Sequence, residues 1–350
     1  MKKYAHLLII AALSIVTIFG LLRLGNIDLS FDTLARVNGS WLLLAFAAFY
    51  LSIIARGLRW QHILKTMGRP VPSLYAQTLL VAGLFISSVL PARAGDLGRI
   101  AMLKQDHQIP VSQGLASLAA ERALDVFAVL ILAIVGAIWS LQGHVPLEVM
   151  QLMVGSGVLF GLGLAGLLAV PSIEGWLRRP GWVWRIIPAV IRPFYQKVVE
   201  FGFALVHGVR DLGQKPAALA VIVAESFGIW LFDALIVHLV LFSLGHSVSF
   251  SVSLFSAMVG VLATIVPLMP GALGQFEAAV ISLLTLLGIS TADSTLTALL
   301  VRFISLWSFI PISGLITYVF GFSRALSLNS KPVDDSDPLP AKPTATTVES

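Results

Sequence analysis

Cysteine is absent from all 350 residues. That excludes disulfides, thiolate metal sites and cysteine nucleophiles, and it leaves the cellular compartment open. Charge is scarce too, with Asp, Glu, Lys and Arg making up only 12% of the chain. A soluble domain of this length needs far more charge to cover its surface. The chain carries neither a P-loop nor a nucleophile elbow. Its seven histidines show no metal-ligand spacing, so no metal and no cofactor is expected. Gly161, Gly163 and Gly166 match a dinucleotide fingerprint by letter, but they sit inside an apolar run with no preceding strand. Small residues for helix packing explain that spacing better.

Apolar residues fill the space that charge leaves. They make up 57% of the chain, and the mean hydropathy is +0.91. A bilayer core of ~30 Å then leaves room for roughly six to eight spans of about 20 residues. The net charge of +5 comes mostly from Arg and Lys between the apolar runs. That pattern reads as topology signalling rather than nucleic-acid binding.

The apolar segments are 5–22, 41–57, 73–90, 112–140, 147–170, 217–243, 248–268, 274–288 and 295–321. The first follows Met1-Lys2-Lys3 and lacks an A-x-A-like site, so it is expected to be a retained span. Residues 1–325 are expected to form a single membrane domain. Residues 326–350 are rich in Pro, Asp, Thr and Ser and are expected to be a disordered tail. Segment 172–216 interleaves Arg178, Arg179, Arg185, Arg192, Lys197, Arg210 and Lys215 with Trp176, Trp182 and Trp184. Phe194, Val198, Phe201, Leu205 and Val209 recur there at helical spacing, which predicts a helix on the membrane surface.

Loop charge tests the topology. If every apolar segment crosses and the N-terminus is inside, 91–111 and 172–216 fall outside with their basic residues, against the positive-inside tendency. If 73–108 instead enters and leaves on one face, 57–72, 99–111 and 172–216 all lie inside. The external connections 141–146 and 244–250 then hold no Lys or Arg. An internal C-terminus requires 248–288 to return to its own side as well. The expectation is an all-α polytopic protein with about six spans and two re-entrant helical hairpins, both termini being cytoplasmic. Two spanning segments in place of the second hairpin give the same tail location.

A repeat supports the hairpins. Residues 91–99 (PARAGDLGR) align with 267–275 (PLMPGALGQ), so that Pro, Gly, Leu and Gly recur in register. Further on, Arg122 matches Arg302. The repeat halves are about 41–140 and 217–321, and in this topology they enter from opposite faces. Inverted repeats with Gly/Pro-broken segments at matching places are a transporter plan. Pro91 and Gly95 break the first hairpin; Pro267, Pro270, Gly271 and Gly274 break the second. Broken backbone at membrane depth must line a cavity or be covered by protein.

The charged residues inside these segments are the candidate binding residues. Arg93, Asp96 and Arg99 crowd the first hairpin tip. Glu121 lies about 15 Å into its span, near the midplane. Asp125 shares its face, and Arg122 is spaced to pair with Asp125. Glu277 follows the second tip, and Arg302 sits within the last span. Charges at that depth usually face a bundle interior and work there, and ion pairs holding helices together are the structural alternative. Glu225, Asp233 and His238 lie in segment 217–243. Asp233, the deepest of them, either relays protons or pairs with a cation, Arg122 and Arg302 being candidates. Arg56, Arg59 and Trp60 close the second span, either as an interface anchor or as a lipid-headgroup contact.

The ordered motifs Arg56-Gly57-Leu58-Arg59-Trp60, PARAGDLGR at 91–99, Glu121-Arg122-Ala123-Leu124-Asp125 and PGALGQFE at 270–277 resemble the lysylphosphatidylglycerol synthase transmembrane-region family of flippase-like membrane proteins. The resemblance covers roughly 5–321. One departure is Ala272, where the family often has a second glycine. The resemblance implies a helical membrane fold and lipid translocation between leaflets. It also implies that the synthase activity, which belongs to a separate soluble domain, is absent here. The leading expectation is a non-enzymatic flippase of the inner membrane. Arg93, Arg99, Arg122 and Arg302 would receive an anionic headgroup, and Asp96, Glu121, Asp125 and Glu277 would balance charge or relay protons. The alternative is an accessory protein that presents lipid to a glycosyltransferase or lipid-modifying enzyme. An intramembrane enzyme using the carboxylates is the weakest reading, because no nucleophile or metal set is visible.

Overall fold

The computed structural model describes residues 37–89, 94–141, 212–264 and 272–329, with isolated positions between 147 and 162 and Phe203. The described residues form helices and connecting turns, with no strand among them. The chain is a polytopic helical membrane protein. The expected span 5–22, nearly all of 147–170, most of the basic segment 172–216, and the tip residues Pro91, Arg93, Pro267, Pro270 and Gly271 lie outside the described residues.

The described residues include nine α-helices: α1 (Gly39–Thr66), α2 (Ser73–Val89), α3 (Ala94–His107), α4 (Val111–Ser140), α5 (Pro216–Ser243), α6 (Phe250–Leu262), α7 (Gln275–Leu286), α8 (Thr291–Arg302) and α9 (Phe309–Asn329). Among the described residues, four segments are long and apolar enough to cross a membrane: α1, α4, α5 and the composite Thr291–Gly321. At 1.5 Å per residue, the 28 to 31 residues of each reach ~42–47 Å, beyond a ~30 Å hydrocarbon core. By the same rise, α6 and α7 reach only ~18–20 Å, too short to cross.

Local chemistry sets the ends. The Asn38 side chain caps α1 by accepting the Ser40 N–H at 3.0 Å. Gly68, with φ +76°, turns the chain out of α1, and the Arg69 N–H closes on Leu64 O at 2.8 Å. Pro216 opens α5, where its missing N–H costs nothing. Ser290 caps α8, so the last span begins at Thr291 rather than at 295. A π-helical turn, Phe303–Trp307, joins α8 to α9. The backbone of α9 continues to Asn329, into the stretch expected to be tail, and 330–350 lie outside the described residues.

One boundary expectation is corrected. α1 does not end near residue 57; it runs to Thr66, with Arg59 and Trp60 fully buried. Acids on neighbouring helices hold both arginines, Asp233 pairing with Arg56 and Asp125 with Arg59.

Three packing relations organise the helices. First, α1 and α5 run antiparallel: Asn38 N donates to Ser243 O at 2.7 Å at one end, and Lys215 Nζ donates to Thr66 O at the other. Second, α2 and α3 form an antiparallel pair, as do α6 and α7. Gly83 meets Gly95 near the first tip, while the Tyr75 hydroxyl reaches Asp106 at 2.8 Å at the open end. Gly260 packs on Phe276, and Gln275 Nε2 donates to Ala263 O at 3.1 Å. Third, each short pair leans on a longer helix distant in sequence. Phe255 of α6 packs on Gly136 of α4, and Phe85 of α2 packs on Gly314 of α9. Around these contacts a core of small and aliphatic side chains, including Ala45, Ala128, Ala133, Val237, Met258 and Val301, holds the bundle together.

Candidate functional site

Six ionised side chains meet where α1, α3 and α4 converge: Arg59, Asp96, Arg99, Glu121, Arg122 and Asp125. Gly95 makes the meeting possible. A Cβ built there would lie 1.8 Å from Gly83 O, so only glycine lets α3 close on α2 and carry Asp96 and Arg99 inward. Glu121, Arg122 and Asp125 project from one turn of α4.

The contacts form a closed network. Arg59 Nη1 donates to Asp125 Oδ1 at 2.7 Å and to Ser226 Oγ at 3.0 Å. Trp230 Nε1 donates to the same Asp125 oxygen at 3.1 Å. Arg99 Nη2 donates to Glu121 Oε2 at 3.1 Å, and its Nη1 to Asp96 Oδ1 at 3.4 Å. The Arg99 guanidinium lies 4.0 Å from the centre of the Trp60 ring, and Trp60 Nε1 donates to Ser117 Oγ. Arg122 bridges all three acids, reaching Asp96 at 3.4 Å, Glu121 at 3.5 Å and Asp125 at 3.3 Å. The pairing of Arg122 with Asp125 is the one their spacing predicts.

Exposure separates the members. The side chains of Arg59 and Arg99 are 0% and 2% exposed, whereas that of Arg122 is 34% exposed. Arg122 is therefore the open edge of a buried cluster. The Nε atoms of Arg59, Arg99 and Arg122 are buried without a partner, so the network holds donors it does not use.

A smaller pair stands at the second tip. Arg302 Nε donates to Glu277 Oε1 at 2.7 Å, and its Nη2 donates to Ala272 O at 2.9 Å. Glu277 Oε2 in turn accepts the Gly274 N–H at 2.9 Å. Gly274 sits at φ +85°, the left-handed region that glycine enters freely. Ala272 sits at φ +50° without that freedom. The guanidinium of Arg302 also lies over the Phe276 ring at 4.7 Å.

Two further ion pairs line the α1–α5 seam. Asp233 pairs with neither Arg122 nor Arg302: it accepts from Arg56 Nη2 at 2.7 Å and from Ser52 Oγ at 2.9 Å. Arg56 also lies over the Trp230 ring at 4.7 Å. Glu225 Oε1 lies 2.6 Å from His62 Nδ1, and His238 Nδ1 meets Ser253 Oγ at 3.0 Å. The structure thus gathers Asp96, Arg99, Glu121, Arg122 and Asp125, and adds Arg59 to their centre. It sets Glu277 with Arg302 apart from them, and Arg56 with Asp233 apart again. Ser226 and Trp230, which the sequence reading did not single out, complete the cluster from α5. Their four-residue spacing put them on one helical face, but nothing local showed that this face meets Asp125. Among the described residues, no three His, Asp or Glu side chains are arranged to hold a metal ion.

The model of the lysylphosphatidylglycerol synthase TM region family matches residues 6–313. The chain belongs to this family. Among the family's curated relatives, a UPF0104 membrane protein of Methanocaldococcus jannaschii is 27% identical over 67% of this chain and 94% of its own length. A UPF0104 membrane protein of Methanothermobacter thermautotrophicus is 22% identical over 94% of this chain and 99% of its own length. Glycosyltransferase AglD of Haloferax volcanii is 26% identical over 92% of this chain, but the chain spans only 54% of AglD. No solved structure matches the chain.

Proposed function

We propose that this protein moves an anionic lipid, or an anionic lipid-linked intermediate, between the leaflets of the inner membrane, and that it does so without acting as an enzyme. One observation carries the proposal: a charged cluster, built on α3 and on two helices long and apolar enough to cross a membrane, α1 and α4, has among the described residues a single arginine, Arg122, at its open edge. Charges at that depth are costly and are retained where they bind or relay charge. Arg122 meets the headgroup phosphate first. Arg99 and Arg59 hold the carboxylates that Arg122 lets go, and Arg302 offers the equivalent contact in the other half. The lipid tails stay in the bilayer.

The transport architecture in this reading has six spans and two re-entrant hairpins in an inverted repeat. Three features support it. The first spans of the two halves, α1 and α5, run antiparallel, as inverted units require. The short helices of each pair are suited to entering and returning on one face. Each pair also packs on the last span of the opposite half, Gly136 of α4 meeting the backbone of Phe255 and Gly314 of α9 the ring of Phe85. Positive charge in the connections puts both termini in the cytoplasm.

The test is native mass spectrometry of the purified protein. A retained anionic phospholipid, lost in Arg122→Ala, is the expected result; equal retention of a zwitterionic lipid by both contradicts the assignment.

The relative named a glycosyltransferase, half of which aligns with this chain, favours a second reading. In that reading the protein presents lipid to a lipid-modifying partner without moving it. Co-purification with such a partner, and no leaflet transfer by the protein alone, would support it.

A further inference from the structure

The six charges of the central cluster cancel: Arg59, Arg99 and Arg122 stand against Asp96, Glu121 and Asp125. The neighbouring charges are also committed. On α1 and α5, Arg56 is held by Asp233 and His62 by Glu225. α2 brings no charged side chain, and its Tyr75 sits at the open end with Asp106. Among the described residues, the site has no spare cation with which to meet an anionic phosphate.

If Arg122 turns to a phosphate, it leaves three carboxylates, which differ in what remains to them. Asp125 keeps Arg59 at 2.7 Å and Trp230 at 3.1 Å. Glu121 keeps Arg99 at 3.1 Å. Among the described residues, Asp96 keeps only the 3.4 Å contact to Arg99, a group already shared with Glu121. Counted over the described residues, the loaded site then holds three guanidinium groups against three carboxylates and a phosphodiester. One uncompensated negative charge at this depth strongly opposes loading.

Building on the lipid-transfer reading, we propose that Asp96 takes up one proton with each anionic headgroup, so that lipid and proton cross together and no net charge moves. The proton passes from water to a carboxylate oxygen of Asp96 as the phosphate takes Arg122. On the far side the phosphate leaves, Arg122 returns, and Asp96 releases the proton. No covalent bond forms or breaks apart from that O–H.

One-to-one coupling has a numerical consequence. A pH difference of one unit across the membrane drives the leaflet ratio of the lipid to about tenfold, equivalent to the ~1.4 kcal/mol that separates the two proton activities. A membrane potential drives nothing, because no net charge moves.

The experiment uses vesicles containing the full chain and a fluorescent phosphatidylglycerol, with either a one-unit pH difference or a potassium diffusion potential imposed. The expected result is a leaflet bias of about tenfold under the pH difference and none under the potential. Transfer biased by the potential alone means that the anion crosses unaccompanied, and transfer biased by neither means passive exchange; each overturns proton coupling while leaving lipid transfer intact. The absence of transfer in the wild-type protein overturns the lipid-transfer reading itself, and the coupling with it. Asp96→Asn should lose the pH bias at whatever rate it transfers, whereas Asp293→Asn, outside the cluster, should keep it. A full bias in Asp96→Asn moves the proton elsewhere and overturns its assignment to Asp96. The wild-type readings stand whether or not that variant folds.

Discussion

Arg302 reaches back 25 residues to Glu277, its Nε donating to a carboxylate oxygen at 2.7 Å across the second helical pair. Arg122 stands in the same relation to Asp96 across the first pair, at 3.4 Å. In each case an arginine of the following helix holds an acid in the first turn of the short helix before it. The acid also sits near that helix's positive end, which favours its charge. The two acids differ in company: Glu277 answers to one arginine, while Asp96 shares two arginines with two other acids.

The Glu277–Arg302 pair is expected to be structurally demanding. Glu277→Gln leaves a partly buried guanidinium without its counter-charge, a loss of about 3 kcal/mol. The double variant Glu277→Gln/Arg302→Met should recover most of it. Thermal unfolding in detergent measures both, and a single variant as stable as the wild type contradicts the pairing.

Gly95→Ala should unseat α3 from α2, because the new Cβ meets the Gly83 backbone at 1.8 Å. Gly98→Ala is the internal comparison: its Cβ would lie 3.8 Å from Ile86 Cδ1, an ordinary contact. A clear loss of thermal stability is expected in the first variant and none in the second. Equal stabilities would mean that the close approach of the two helices is not needed.

Ala272→Gly should stabilise the protein by about 1 kcal/mol. An L-residue in the left-handed region costs about 1–2 kcal/mol, and the greater freedom of glycine in the unfolded chain returns part of the gain. The Arg302 contact to the Ala272 carbonyl does not involve the side chain and survives the change. A lowered unfolding temperature contradicts this account of the tip.

The absence of cysteine makes the antiparallel arrangement of α1 and α5 easy to examine. Arg69→Cys and Ser247→Cys place single thiols just beyond the ends of the two helices, both at exposed positions. An impermeant maleimide applied to intact cells should label position 247 and spare position 69. Labelling of both, or the reverse pattern, contradicts the orientation read from loop charge.

Much of the helical layout was legible because membrane spans are written in long apolar runs. The limits of α4 and α5 follow directly from where those runs stop. The pairing of Arg122 with Asp125 was legible because it is local to one helix. The centrality of Arg59 was not. Arg56 and Arg59 stand at the end of an apolar run, where arginines usually meet headgroups. Only the acids of α4 and α5, brought alongside by the fold, turn them inward. Asp233 shows the same thing from the other side: its partner, Arg56, lies 177 residues away. Helical spacing defines faces, but it does not say which faces meet. The Pro and Gly positions that suggest a repeat are readable in the sequence, while the contacts of Gly136 with the Phe255 backbone and of Gly314 with the Phe85 ring follow only from the fold.

The most direct test of the central claim is leaflet transfer of fluorescent phosphatidylglycerol in vesicles containing only this protein, compared among wild type, Arg122→Ala and Arg302→Ala. Transfer well above that of protein-free vesicles is expected in the wild type, and its loss in both variants while each keeps a cooperative thermal transition. Wild-type transfer no faster than in empty vesicles, or undiminished transfer in the folded variants, would contradict the account.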